Sequence, residues 1–329
     1  MLWQPLEMSL THQLFLQSLR ELGDIAQDKF DAHRMPLIAS LLDHAWGTVP
    51  AHRQRLAAHV ADASFDLARW SDLPFLRRDD VIALGNALEA RLLPTEADET
   101  EDVPSLQSPV RRRSRLAAIA AACEREWMLE RNGIDLAASL AVLHPDHAAA
   151  RPGGTGWSIT FAQNKWFAGD LDAEPEAQLA WLGECGATLL RTDAATAERL
   201  VAASGDAGLA IDALIISDSS LTPPRRKAIE ANAGAPVVHI IDDPAIGIVA
   251  ASDPLGGYLV LAATAVVEVV DAQGRAAADG EPGQLVLTPL YEYAIPLLRY
   301  ATGIAASGSP CPPTLIGLRK LDWAGGVSA

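Results

Sequence analysis

Basic residues are scarce in this 329-residue chain: 26 Lys and Arg stand against 42 Asp and Glu, a formal net charge of −16. So negative a chain is repelled by nucleic-acid phosphates and anionic lipid, which excludes unspecific nucleic-acid binding and electrostatic membrane attachment. Cysteine is scarcer still. Cys123, Cys185 and Cys311 lie far apart, with no CxxC pair and no Cys/His cluster at zinc spacing. Neither a disulfide framework nor a metal site is expected. No uninterrupted apolar run reaches membrane-spanning length, and the start, Met1-Leu2-Trp3-Gln4-Pro5-Leu6-Glu7, lacks a basic segment leading into an apolar one. The expected location is the cytoplasm. Aromatic residues make up only 5%, yet 49% of the chain is hydrophobic, enough to fill one large domain or two ordinary ones.

The pattern changes along the chain. Residues 9–92 read as helices, from the spacing of Leu10, Leu14, Leu16, Leu19 and Leu22 and then of Leu37, Leu41, Leu42 and Trp46. An acidic stretch with Pro104 and Ser108-Pro109 follows as a loop, and a helix over 116–131 ends at Asn132-Gly133. From Ser139 onward strands and helices alternate. Strands are expected at 140–143, 157–161, 214–216 and 237–241, and helices at 174–184, 194–203 and 223–233. That alternation predicts a largely parallel α/β sheet. Antiparallel strands over 258–270 and 284–288 complete a β-rich unit. The expected organisation is a helical segment 1–92, an α/β core 93–255, a β-rich subdomain 256–323 and a flexible tail 324–329.

Several segments carry a family resemblance. Gly283-Gln284-Leu285-Val286-Leu287-Thr288 followed by Ala294-Ile295-Pro296-Leu297-Leu298-Arg299-Tyr300 resembles a signature of adenylate-forming enzymes of the phenylacetate–CoA ligase type. The stretches Ile215 to Glu230 and Val267 to Asp271 with Gly274, Gly280 and Gly283, and the run Trp70 to Val81, are similar to further segments of that family. The resemblance covers about residues 70–320 and implies the family's large N-terminal domain, with the C-terminal lid domain absent. In that family the Arg-Tyr pair leads to an aspartate holding the ATP ribose; here that place is Ile304. The family's tyrosine on adenine and glutamate on magnesium correspond to Ile241 and Ala245, and Ser219 stands for another family glutamate. Where the family has its glycine-rich phosphate loop, Ser105-Leu106-Gln107-Ser108-Pro109-Val110 has no glycine, so backbone N–H groups are hindered from wrapping a phosphate.

The scaffold segments thus persist while the nucleotide contacts are missing. No cofactor and no bound metal are expected, although Asp242 and Asp243 are acidic groups near the place of the magnesium ligand. The leading expectation is a repurposed adenylate-forming fold that binds, and hydrolyses or transfers, an acyl group presented as a small molecule or on a carrier. A non-catalytic partner subunit of a biosynthetic complex and a divergent AMP-forming acyl-CoA ligase are the alternatives. If the protein is an enzyme, His239 with Asp242 or Asp243 is the expected general-base group, because an imidazole titrates near neutral pH. Cys185, His144 and His147 come next. Their ordinary reading is a locally bonded histidine, two turn-forming aspartates before Pro244 and a packing cysteine.

Overall fold

The computed structural model describes residues 9–21, 27–61, 64–65, 67–94, 100–102, 112–144, 157–161, 164–218, 220–309 and 318–327. The first part is helical but not wholly so. Helix α1 (Leu10–Arg20) is capped by Ser9, whose hydroxyl accepts from the His12 N–H. Helix α2 (Gln27–Thr48) carries Pro36, and α3 (Pro50–Leu56) begins on a proline, which suits a first turn that needs no N–H. A small antiparallel pair, β1 (Val60–Ala61) and β2 (Ser64–Phe65), interrupts the expected helical run before α4 (Arg78–Leu84). A second pair joins β3 (Thr100–Asp102) to β4 (Arg112–Ser114), so part of the expected acidic loop is strand. Helix α5 (Arg115–Arg131) begins at Ser114, whose hydroxyl accepts from Ala117 N–H, and ends at Asn132 with Gly133 at φ 75°.

Among the described residues, twelve strands form the main sheet. They are β5 (Leu140–Leu143), β6 (Trp157–Phe161), β7 (Asn164–Ala168), β8 (Leu189–Thr192), β9 (Ala213–Ser217), β10 (Val237–Asp243), β11 (Gly247–Ser252), β12 (Tyr258–Leu261), β13 (Ala265–Val270), β14 (Pro282–Pro289), β15 (Tyr300–Ser309) and β16 (Leu318–Val327). Helices α6 (Pro175–Cys185), α7 (Ala194–Ser204) and α8 (Pro223–Ala233) alternate with strands as the sequence predicts. The spatial order is β13-β14-β15-β16-β12-β11-β10-β9-β8-β5-β7-β6. Pairing is parallel from β10 through β9, β8 and β5 to β7, and antiparallel elsewhere. The parallel and β-rich parts are one continuous sheet, because β12 pairs with both β11 and β16. The run 258–270 is broken at Thr264, whose hydroxyl bonds Leu261 O, and its second half becomes the far edge strand. Where the sequence suggests a tail from 324, β16 continues to Val327, which pairs with Ile304.

Strand β9 shows how the layers arise. Ala213 and Ile215 point to a core shared with α1 and α5, while Leu214 and Ile216 point to one shared with α6, α7 and α8. A parallel strand covered on both faces therefore reads as a continuous apolar run rather than an alternating one. Ile241, Val249, Tyr258, Ile304 and Trp323 form a separate cluster among the antiparallel strands.

One buried ion pair fastens the N-terminal layer to this sheet. The Arg299 guanidinium is bidentate to Glu268, with Nε 3.1 Å from Oε2 and Nη2 2.8 Å from Oε1. Its Nη1 donates to the carbonyls of Ser71 and Leu73, both at 2.6 Å, and its carbon lies 4.4 Å from the Phe75 ring centre. Trp70 donates its indole N–H to the same glutamate. The backbone of Arg299 sits at φ 50°, which few non-glycine residues adopt, and is held there by bonds to Thr288 Oγ1 and Leu76. Arg299→Met removes the guanidinium donors, leaving the half-buried Glu268 with Trp70 alone and two carbonyls without their partner. The expected loss of unfolding free energy is about 3–5 kcal/mol, read as a lower urea midpoint at unchanged slope. Arg299→Lys is expected to recover only part of it, since an ammonium cannot reproduce the fork.

Candidate active site

Helix α5 carries a stripe that lines a cavity: Arg113 just before it, then Ala117, Ala120, Ala121, Glu124 and Met128. Steps of three and four place these residues on one face. The stripe roofs a cavity of ≈ 50 Å³. Its floor is made by Ala245, Ile246 and Ile248 at the β10–β11 turn, and by Val260, Leu261 and Thr264 where β12 leads to β13. Pro289, Tyr291, Glu292 and Leu297, after β14, close the side. The lining is mostly apolar. Its strong polar groups are Arg113, Glu124, Thr264, Tyr291 and Glu292.

Glu292 is committed to structure. Its Oε1 accepts from the N–H groups of Ser114 at 3.2 Å, Ala294 at 2.9 Å and Ile295 at 3.4 Å, and Arg113 Nε lies 3.7 Å from Oε2. Even so, burial outweighs these contacts and pushes its carboxyl up to about 7. Arg113 is itself held by Glu292 and by Ile246 O at 3.0 Å. Glu124 differs. It lines the cavity while remaining half-buried, and burial pushes its carboxyl up to about 7 as well, with Thr264 and Arg113 pulling it back. The Tyr291 phenol is pushed up to about 12, chiefly by burial. The cavity thus holds one carboxyl not consumed by backbone bonds. Sequence reading missed it because Glu124 sits mid-helix among charged neighbours, and only the packing of α5 on the turns shows which face is enclosed.

His239, Asp242 and Asp243 share β10 but do not line this cavity. His239 is fully buried, with Nδ1 2.7 Å from the Tyr258 hydroxyl and Nε2 2.8 Å from Asp218 O. A carbonyl can only accept, so Nε2 carries the proton and Nδ1 accepts from Tyr258. Both nitrogens are engaged, and burial pushes the imidazole down to about 4. Asp243 is buried. Its Oδ1 accepts from Ala245 and Ile246 N–H at 2.7 and 3.3 Å, and its Oδ2 from the Tyr300 hydroxyl at 3.3 Å. It shapes the turn that forms the cavity floor, and burial raises its pKa. Asp242 is half-buried and has partners of its own. A register shift between Ile241 and Asp242 separates the two aspartates from the regular alternation that His239 follows.

The remaining candidates lie elsewhere. Cys185 ends α6, with its Sγ 3.4 Å from Leu182 O, and His144 Nε2 is 3.2 Å from Ser217 O at the end of β5. His147 lies outside the described residues, as do Ser105 to Val110 and Ser219. Among the described residues no group of three His, Cys, Asp or Glu side chains is arranged to hold a metal ion, and no helix is long and apolar enough to cross a membrane. Ile241 and Ile304 are 1% and 2% exposed within one cluster that includes Trp323, so both point into core.

Comparison with known proteins bears on the fold. No protein-family model matches this sequence, and no curated protein sequence matches it. Among solved structures, 2-hydroxyisobutyryl-CoA ligase in an open conformation, in complex with 2-HIB-AMP and CoA, is similar with a TM-score of 0.67 at 15% identity, over 90% of this chain and 74% of that one. The same ligase in its thioesterification state gives a TM-score of 0.66 at 15% identity, over 94% of this chain and 70% of the other. At that identity the likeness speaks for architecture only, and the architecture is that of the large N-terminal domain of adenylate-forming acyl-CoA ligases.

Proposed function

We propose that this chain uses the adenylate-forming fold to hold a short acyl group, free or on a thioester carrier, without using ATP and magnesium. The observation that carries the reading is the contrast between two neighbouring regions. The cavity beneath α5 is unfilled and lined mostly by apolar side chains, with a few polar groups. The positions that the family resemblance assigns to nucleotide contacts are instead packed, with Ile241 and Ile304 in core and Ala245 in the cavity floor. Asp243 and Asp242 already have partners, so these residues do not fit a nucleotide–magnesium complex. A second reading, a divergent acyl-CoA ligase, is favoured by the solved ligase whose bound molecules are an acyl-AMP and CoA.

Thermal shift with short acyl-CoA thioesters, beside ATP with magnesium, separates the readings. Anything that binds only the folded state raises its stability by RT ln(1 + [L]/Kd). The expected result is a rise in Tm with acyl thioesters, none with ATP, and no acyl-dependent pyrophosphate exchange. Exchange would establish the ligase instead. Ala121→Leu, which fills the cavity with three added carbons, should abolish the acyl-induced shift; a shift that survives it puts the ligand elsewhere. If no acyl thioester moves Tm, the reading fails and a partner-protein role gains.

His239 is testable by its pH signature. Its folded pKa, about 4, lies below the ordinary histidine value, so the folded state binds fewer protons than the unfolded chain in between. Its contribution is whole above about pH 6.5 and is lost as pH falls towards 4, reaching roughly 3 kcal/mol. His239→Gln should flatten the acid side of the stability curve relative to wild type. His52, pushed down to about 4 by burial and by Arg55, keeps a residual slope in the variant. If His239→Gln leaves that slope unchanged but abolishes thioester turnover, the imidazole is a catalytic base after all.

A further inference from the structure

The cavity has a polarity that an ordinary aliphatic acyl chain does not use. Its volume of ≈ 50 Å³ is room for about three to five water-sized spheres, which limits an occupant to about five non-hydrogen atoms. Into that space project Glu124 from α5 and, beside it, Thr264 and Tyr291. The charges that face it are Glu124, Glu292 and Arg113. Arg113 is spent on Glu292 and on Ile246 O, and Glu292 on three backbone N–H groups. Among the described residues, Glu124 has Thr264 as its hydrogen-bonding neighbour, and the cation that acts on it, Arg113, is the one also held by Glu292.

We propose that Glu124 receives an ammonium group at the end of a short amino-acyl ligand, and so sets the specificity of the cavity. The inference rests on the acyl-binding reading above. An ammonium there would supply the charge that the protein withholds, two carboxylates then facing two cations. Apolar walls of alanine, leucine and valine would contact the methylene groups, and they would strengthen the pair by keeping water out. The carboxyl's raised pKa agrees, since a buried acid without a counter-ion stays protonated and would ionise when a cation arrives. Binding therefore releases a proton near pH 6, with Glu292, Arg113 and Tyr291 unchanged in their contacts.

The test compares 3-aminopropionyl-CoA, 3-hydroxypropionyl-CoA and propionyl-CoA on the wild-type chain by titration calorimetry at pH 6 and pH 8. Two buffers of different ionisation enthalpy are used at each pH. The expected result is about 10- to 100-fold tighter binding of the amino compound than of propionyl-CoA, as for a charge-assisted hydrogen bond in an enclosed site. Proton release should accompany it at pH 6 and shrink at pH 8. Glu124→Gln should erase the difference between the amino and propionyl compounds. Should that variant fold poorly, the wild-type series decides alone. Equal binding of all three, with Ala121→Leu abolishing each, would overturn the amine proposal while leaving the acyl reading intact. Preference for the hydroxyl compound without proton release would overturn it in favour of a neutral donor. No binding of any of the three would overturn both.

Discussion

The fork of Arg299 on Glu268 is the constraint on which the other features depend. It joins a strand-edge carboxylate of β13 to the carbonyls of residues 71 and 73, and beside it Leu76 bonds the backbone on either side of Tyr300. The segment so fixed carries α4 and lies against the loop after β14. That loop supplies Tyr291 and Glu292 to the cavity. The cost of desolvating Arg299 is met by giving four of its five N–H directions a fixed acceptor, and its unusual φ is tolerated because the partners over-determine it.

Around the cavity the same physics works with carboxyls. Glu292 gathers N–H groups from Ser114, Ala294 and Ile295, so one buried acid ties the start of α5 to the chain after β14. Glu124 has no such set of donors and faces the space itself. Both are pushed up to about 7 by burial, and each therefore favours folding most below the ordinary glutamate pKa and least above 7. His52 and His239 run the other way, favouring folding above about pH 6.5. The two trends oppose each other between pH 4 and 7.

A shared fold carries no activity by itself, because chemistry resides in the groups placed on it. The solved acyl-CoA ligases fix the architecture, and the chemistry of this chain has to be read from what stands at each position. At 241 and 304 stand isoleucines inside a core with Trp323. Beneath α5 stands a small enclosed space with an acid at its wall. These two facts are what the acyl-binding proposal rests on.

Much of the scaffold was legible in the chain itself. Val237 to Ile241 and Leu214 to Ile216 announce doubly covered parallel strands, Ser114 and Asn132-Gly133 bracket α5, and the Arg-Tyr and glycine segments suffice for the family resemblance. These are local signals, set by periodicity, capping and turn geometry. The break at Thr264, the strand through Val327 and the enclosure of Glu124 were not legible, because each depends on partners distant in sequence. His239 makes the point most sharply. Its neighbours in sequence suggested a base beside two acids, whereas the fold places Tyr258 and Asp218 on its two nitrogens and gives Asp243 to a turn. Sequence fixes which side chains a strand presents and on which parity; whether such a side chain meets a cavity, a carbonyl or a packed core is decided only when the other elements close over it.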